Sequence, residues 1–425
     1  MDASIRVLRF GVANHKSIRQ RAELSFVATS RKDEPAFTFA SKHAPHGTLP
    51  LLGIWGANAS GKSNLLLALL FLRRVVQQSH ARWEPTDAVP WWPWRLLRDG
   101  SAPSEYELEF ELGSVRFAFG FTVHSGAFKT EWLYRWESSR RQVLYYRSED
   151  DDEPWYFGPG LKGQRTLLAE KARKNSLFLS VAAQENHPQL LPIYQAIVSG
   201  ISPCRPVGLS GFPLFPPDHP ILQEEFRSTL LRFLAAADLG VSDVVVEEHR
   251  AAPPPADLKK LFTPEALAQI DSSSDDLRRL RLVRGGSEPW SLPPEDESRG
   301  TQILLARLAD LLPRMLQGGL IVVDEIDTSL HPDLCKALVR LFTDPRSNRN
   351  GAQLLFTTHD RDILEVLRTD EVALVDKDAD GSSVLRTASD YKQVRTRENL
   401  RQVHAEGRLR GVPVIGDLPE IFEAR

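Results

Sequence analysis

Eight consecutive residues do most to limit what this 425-residue chain can become: Gly56-Ala57-Asn58-Ala59-Ser60-Gly61-Lys62-Ser63. They complete a G-x-x-x-x-G-K-[ST] pattern, entered by an apolar run (residues 49–55) and left by a Leu/Ala-rich stretch of helical length (residues 64–76). Glycines let successive backbone N–H groups converge on phosphate oxygens, and the helix that follows presents its positive N-terminus. Lys62 is placed to hold the β- and γ-phosphates and Ser63 to ligate magnesium, with Gly56, Asn58, Ser60, Gly61 and Asn64 forming the rest of the cradle. The loop predicts a nucleotide site in an α/β fold.

A second element supports it. Leu320-Ile321-Val322-Val323 is an apolar strand that ends in Asp324-Glu325. Asp324 suits Mg²⁺, directly or through water, and Glu325 suits the general base that polarises the attacking water. A carboxylate at Glu325 favours a hydrolytic ATPase over a switch GTPase. A third strand, residues 353–357, ends at Thr357-Thr358-His359, 34 residues after Glu325. Ligands of parallel sheets sit at the carboxyl ends of the strands, so His359 is predicted to reach the γ-phosphate.

The rest of the chain surrounds these strands in three stretches. Residues 1–185 hold the P-loop and an alternating region, residues 104–147, whose short connections predict antiparallel hairpins. The acidic run Glu149–Glu153 reads as a solvated hairpin tip. Residues 186–295 mix helical stretches (190–198, 221–237 and 264–270) with Pro-rich breaks, and predict a mainly helical insertion. Residues 296–425 return to α/β order. No heptad run or internal repeat is apparent.

Composition removes several classes. Lys plus Arg is 53 and Asp plus Glu is 56, a net charge of −3, which excludes a globally basic nucleic-acid coat. Cys204 and Cys335 are the only cysteines; they form neither a disulfide framework nor a zinc pattern. No apolar run approaches the roughly 20 residues that span a bilayer, and the start lacks a signal-peptide pattern. A soluble cytoplasmic protein without membrane contact is expected.

The order of these motifs resembles an ATP-binding-cassette head of the SMC/RecF/OLD-like clan, closest to the AAA-type ATPases of bacterial anti-phage operons. Asn14-His15-Lys16-Ser17-Ile18 is similar to the "NFKSI" opening of such heads, with His15 in place of the usual Phe. The separation of 262 positions from Lys62 to Asp324 leaves room for an inserted lobe. Asp324-Glu325-Ile326-Asp327-Thr328-Ser329-Leu330-His331-Pro332 resembles the DEID…LHP form of that group, and Gly407–Pro413 resembles its tail. The resemblance covers about residues 1–185 and 296–425.

It implies an ABC-type P-loop NTPase head with an antiparallel β subdomain, using ATP and Mg²⁺. It places Asp327 in a D-loop, and Ser298 and Gly300 in a signature loop that contacts the γ-phosphate of an opposite protomer. An ordinary helix cap is the alternative reading of Ser298 and Gly300. The Q-loop glutamine of such heads is not evident; residues 91–94 or Gln184 stand nearest its place.

For partners, the resemblance implies an ATP-dependent homodimer and an effector, such as a nuclease, in phage defence. The alternative is a RecF-like DNA repair ATPase that binds DNA directly. Two basic clusters suit either a phosphate backbone or a protein interface: Arg278, Arg279, Arg281 and Arg284, and a C-terminal group from Lys392 to Arg410.

Overall fold

The structure, a computed structural model, describes residues 4–30, 37–95, 102–136, 140–205, 213–249, 277–391, 399–409 and Gly411. The chain divides into two compact units. Met1–Pro203, Gln317–Asp327 and Cys335–Arg425 form the first; Cys204–Leu316 and Thr328–Leu334 form the second.

The first unit opens with β1 (Ile5–Ala13) and β2 (Ala22–Ser25), then β3 (Leu51–Trp55) and helix α1 (Lys62–Gln78). Five strands follow: β4 (Ser104–Leu112), β5 (Val115–His124), β6 (Ala127–Trp136), β7 (Gln142–Ser148) and β8 (Trp155–Phe157). They build a seven-stranded antiparallel sheet in the order β2-β1-β4-β5-β6-β7-β8. The alternation seen in the sequence is what buries one face of it: Tyr106, Leu108 and Phe110 of β4 point into the core, while Glu105, Glu107 and Glu109 do not. Residues 149–153 form the β7–β8 turn, as the acidic run predicts.

A second, mostly parallel sheet carries the motifs. Its order is β17-β16-β3-β15-β14-β9, from β9 (Ile201–Pro203), β14 (Gly319–Val323), β15 (Ala352–Thr357), β16 (Val372–Lys377) and β17 (Ser383–Thr387). Strands β3, β14 and β15 are buried along their whole length, which accounts for their continuous apolar runs. Helix α1 touches β1 and β4 of one sheet and β9 and β15 of the other. Its buried residues cover a broad face, Leu65, Leu66, Leu69, Leu72 and Val76 among them, while Leu67 is exposed.

One side chain joins the two sheets directly. β1 changes register between Val7 and Arg9, and Gln353 of β15 takes up the freed backbone groups. Val7 N–H donates to Gln353 Oε1 at 2.7 Å, and Gln353 Nε2 donates to Val7 O at 3.0 Å and Leu49 O at 3.2 Å. Gln353 is fully buried, so these bonds satisfy polar groups that water cannot reach.

The second unit contains β10 (Leu214–Phe215), β11 (Val241–His249), β12 (Leu277–Arg284) and β13 (Trp290–Ser291) in an antiparallel sheet, with helices Glu224–Ala236 and Arg299–Gln317. This corrects the mainly helical reading of residues 186–295. The helices at Leu191–Gly200 and Glu224–Ala236 are present, but strands occupy much of the described remainder. The β-branched run Val244–Val246 and the alternation Arg279-Leu280-Arg281-Leu282 drive those strands. The expected helix at 264–270 lies outside the described residues.

The Arg cluster also changes meaning, because β12 pairs with an acid-bearing neighbour. Arg278 bridges Glu248; Arg279 reaches Glu247 and Glu295; Arg281 bridges Glu247; and Arg284 grips Glu297 with both guanidinium nitrogens. The cluster is a set of ion pairs, to Glu247 and Glu248 on β11 and to Glu295 and Glu297 after β13, not an open basic track. In the C-terminal group, Arg401 pairs with Asp362 and Glu365 and Arg408 with Glu406, while Lys392, Arg395, Arg397 and Arg410 lie outside the described residues.

Candidate nucleotide-binding site

Three parallel strands deliver the site. β3 runs into the P-loop, β14 into Asp324-Glu325, and β15 into Thr357-Thr358-His359. β15 lies between the other two, with Thr357 beside Ile54 and Phe356 beside Val323, so all three loops leave one edge of the sheet. Lys62, Ser63, Asp324, Glu325 and His359 are therefore brought to one edge of the sheet.

The loop is shaped as a phosphate cradle requires. Gly61 adopts φ 108°, and a Cβ there would lie 2.2 Å from Ser383 Oγ and 2.6 Å from Ser17 Oγ. A Cβ on Gly56 would lie 2.4 Å from Val375 O. Only glycine fits either position. The buried Lys62 ammonium donates to Gly56 O at 2.8 Å and Ala57 O at 3.2 Å, folded over its own loop. Burial lowers its pKa from the ordinary value, and Asp324, Glu325 and Asp327 oppose the shift.

Ser63 Oγ donates to Asp324 Oδ1 at 3.1 Å, which brings a hydroxyl and a carboxylate oxygen together at the loop. Thr357 Oγ1 donates to the same Asp324 oxygen at 2.5 Å and accepts the Glu325 N–H at 2.7 Å. Glu325 itself sits at φ 50°, a left-handed conformation costly for a non-glycine residue, which the Thr357 bond holds. The Asp324 and Glu325 side chains are both exposed at this edge.

Asp327 Oδ2 accepts the backbone N–H of His359 at 3.3 Å, tying the two loops together, while Asp327 Oδ1 is buried with no hydrogen-bond partner among the described residues. The His359 side chain is exposed at the strand end. Asn58 is exposed on the loop; Ser60 is buried beneath it.

Several contributors were not assigned a role by motif reading. Ser383 Oγ, on β17, donates to Ser60 O at 2.5 Å and shares a 2.8 Å hydrogen bond with the Ser17 hydroxyl; Asn64 Nδ2 also donates to Ser17 Oγ, at 2.7 Å. A β1–β2 turn residue, a β17 residue and α1 thus brace the P-loop from behind. Thr357 is the other addition. In the tail, a Cβ on Gly411 would lie 3.4 Å from Gly56 Cα, so the chain passes directly against the loop.

Of the Q-loop candidates, residues 91–94 run along the β1–β2 turn: Trp92 O accepts from Lys16 N at 2.7 Å, and Trp94 N donates to Asn14 Oδ1 at 2.8 Å. Gln184 is exposed at the end of its helix. In the second unit, Ser298 caps the helix Arg299–Gln317: its Oγ accepts from Thr301 N at 3.1 Å. Gly300 lies beside Ser329, where a Cβ would stand 3.2 Å from the Ser329 carbonyl.

The loop geometry and the paired acids agree with comparison to known families. Residues 51–365, more than half of the chain, match the AAA domain family described as putative AbiEii toxin, Type IV TA system. The chain belongs to this AAA domain family. Its matched segment begins on β3 and contains the P-loop, Asp324-Glu325 and His359. No curated protein matches the chain. Among solved structures, it is similar to an SMC head bound to the C-winged helix domain of ScpA, at 12% identity and TM-score 0.42, covering 91% of this chain and 99% of that one. It is also similar to an SMC head with an extended coiled coil, bound to the C-terminal domain of ScpA derived from Pyrococcus furiosus. That likeness has 13% identity and TM-score 0.40, and covers 95% of this chain and 100% of that one. Among the described residues, no helix of this AAA-family chain is long and apolar enough to cross a membrane.

Proposed function

We propose that the chain is an ATP-binding and ATP-hydrolysing ABC-type ATPase whose Mg²⁺ is held by Ser63 and Asp324. The observation that carries this reading is the convergence of Lys62, Ser63, Asp324 and Glu325 at one sheet edge, on a loop whose two glycines cannot accept a Cβ. The donor set fits the ion, because a hydroxyl and a carboxylate are the hard oxygen ligands that magnesium prefers. When bound, Mg²⁺ supplies charge neutralisation at the phosphates.

The chain's own residues divide the remaining work. Lys62 exchanges its two loop carbonyls for phosphate oxygens, and the N–H groups at the start of α1 face the same ligand. Glu325 takes a proton from the attacking water at its carboxylate, and Thr357 holds the backbone from which that carboxylate projects. His359, anchored through its backbone to Asp327, reports on the γ-phosphate.

By the same reading, two copies meet head to head, with Ser298 and Gly300 of one facing the nucleotide of the other and Asp327 lying at the junction. Binding closes this dimer and hydrolysis opens it, and the cycle is used by an effector partner, such as a nuclease, in defence against phage. The family description, a putative toxin of a toxin–antitoxin system, is in keeping with a two-component arrangement. Phosphate release from ATP by the purified chain tests the core of the proposal. Activity that needs Mg²⁺ and disappears in Lys62→Ala is expected; equal activity in that variant would overturn it.

A further inference from the structure

The outer face of the seven-stranded sheet carries aromatic rings where its other strands carry charges. Trp132, Tyr134 and Trp136 are alternate residues of β6 and so share one side of the sheet. Cross-strand pairing continues the row, with Trp132 beside Tyr146 and Tyr146 beside Tyr156. Tyr156 is 54% exposed, and Tyr134, Trp136 and Tyr146 are half-buried. Trp132 has a structural duty, covering Gly120 and donating to Glu107, but the others do not fill the core.

Cations are already arranged over these rings. The Arg116 guanidinium lies 4.5 Å from the Trp136 ring centre, and that of Arg141 lies 4.7 Å from Tyr134. Beside the row opens a cleft of about 800 Å³, lined by Arg135, Arg140, Arg141 and Lys162 with Tyr156 at its edge. Among the described residues, no carboxylate lines it. Among the described residues, Arg140, Arg141 and Lys162 make no ion pair, in contrast to the β12 arginines, each matched by a glutamate. Arg135 is oriented by a 2.8 Å bond to Gln142 Oε1, and Lys162 N donates to Gln189 Oε1 at 2.7 Å, so the cleft walls are fixed.

We propose that this face binds single-stranded nucleic acid, with phosphates in the Arg140–Arg141–Lys162 cleft and unstacked bases on Tyr156 and its neighbours. A cationic groove that presents Arg140, Arg141 and Lys162 and is flanked by exposed rings is the combination that backbone tracking and base stacking require. A duplex keeps its bases stacked internally and gains little from such rings. The cations by themselves also suit an acidic protein segment, but the rings favour bases. The site is separate from the P-loop, and its occupancy does not depend on hydrolysis.

The test is fluorescence anisotropy of the full chain without nucleotide, using labelled oligothymidylate, oligouridylate and a duplex of equal length. The double variant Arg140→Ala/Arg141→Ala should weaken single-strand binding about tenfold or more and flatten its salt dependence. Tyr156→Ala should weaken it about fivefold or more and leave duplex binding unchanged. Tighter oligothymidylate assigns DNA and tighter oligouridylate assigns RNA; either upholds the site. These side chains are exposed, and an unchanged melting temperature checks that each variant folds. Absence of single-strand binding at low salt, or parental affinity in both variants, would overturn the proposal. So would binding of polyglutamate that depends on the arginines but not on Tyr156, which would assign the cleft to an acidic protein. Loss of ATPase activity in Lys62→Ala leaves all these readouts in place, so the two readings fail separately.

Discussion

The Thr357 hydroxyl accepts the Glu325 N–H at 2.7 Å and donates its own proton to Asp324 Oδ1 at 2.5 Å. One buried side chain on β15 therefore orients both acids that end β14. Thr357→Val keeps the shape and removes both bonds. Turnover should fall about 10- to 100-fold, the usual cost of losing a group that orients metal ligands. ATP affinity measured with a fluorescent analogue should change only a few-fold. A variant with parental kcat would show that Asp324 and Glu325 hold their places without it.

Glu325→Gln separates binding from chemistry. Removing a positioned general base should slow phosphate release by about 10²- to 10⁴-fold while ATP still binds. Light scattering on this variant is the measurement for assembly: ATP should double the mass. A monomer mass with and without ATP would remove the head-to-head dimer for the isolated chain, and rapid turnover would remove Glu325 from its role.

Gly61→Ala tests the cradle. At φ 108° a methyl group is strained and also meets the hydroxyls of Ser383 and Ser17. The strain is on the order of 1–3 kcal/mol, and either the loop shifts or the brace behind it opens. ATP affinity by titration calorimetry should fall tenfold or more. Ser383→Ala, which removes the brace but adds no bulk, should show a smaller loss.

Acid should weaken the fold through His15. Burial, with a lesser contribution from Lys16, pushes its pKa down to about 4, and burial does the same to His404. The unfolded chain takes up these protons below about pH 6.5 whereas the folded chain does so only near pH 4. Stability from this source is complete above pH 6.5 and declines as pH falls to 4. For His15 the decline is roughly 3 kcal/mol. His15→Phe, which places a ring among Phe71, Trp92 and Tyr106, should shrink the difference between urea midpoints at pH 7 and pH 4.5. An unchanged difference would clear His15 of the effect.

The residues that meet at the candidate site were legible because they come in contiguous pieces: Gly56 to Ser63 and Asp324 to Asp327 are short strings whose spacing is dictated by backbone geometry. The hairpins of β4 to β7 were legible from strict alternation. The braces were not, since Ser17 and Ser383 lie 366 residues apart and meet only in the folded chain. The β12 strand was overlooked for another reason. Its four arginines signal charge, although Arg279-Leu280-Arg281-Leu282 has the period of a strand, and their glutamate partners are remote in sequence: Glu247 and Glu248 on β11, Glu295 and Glu297 after β13. Ser298 shows the reverse: a motif residue whose hydroxyl is engaged in capping its own helix.

Gln353 makes the two sheets of the first unit a geared pair. Its amide fills a gap in the β1 ladder that hydrocarbon could not fill, and it stands on β15 only four residues before Thr357. A displacement of β15 at the edge that carries the P-loop must either pull β1 along or strand a buried N–H and C=O. The antiparallel sheet, with the aromatic face it bears, is thus harnessed to the strand that positions Asp324 and Glu325.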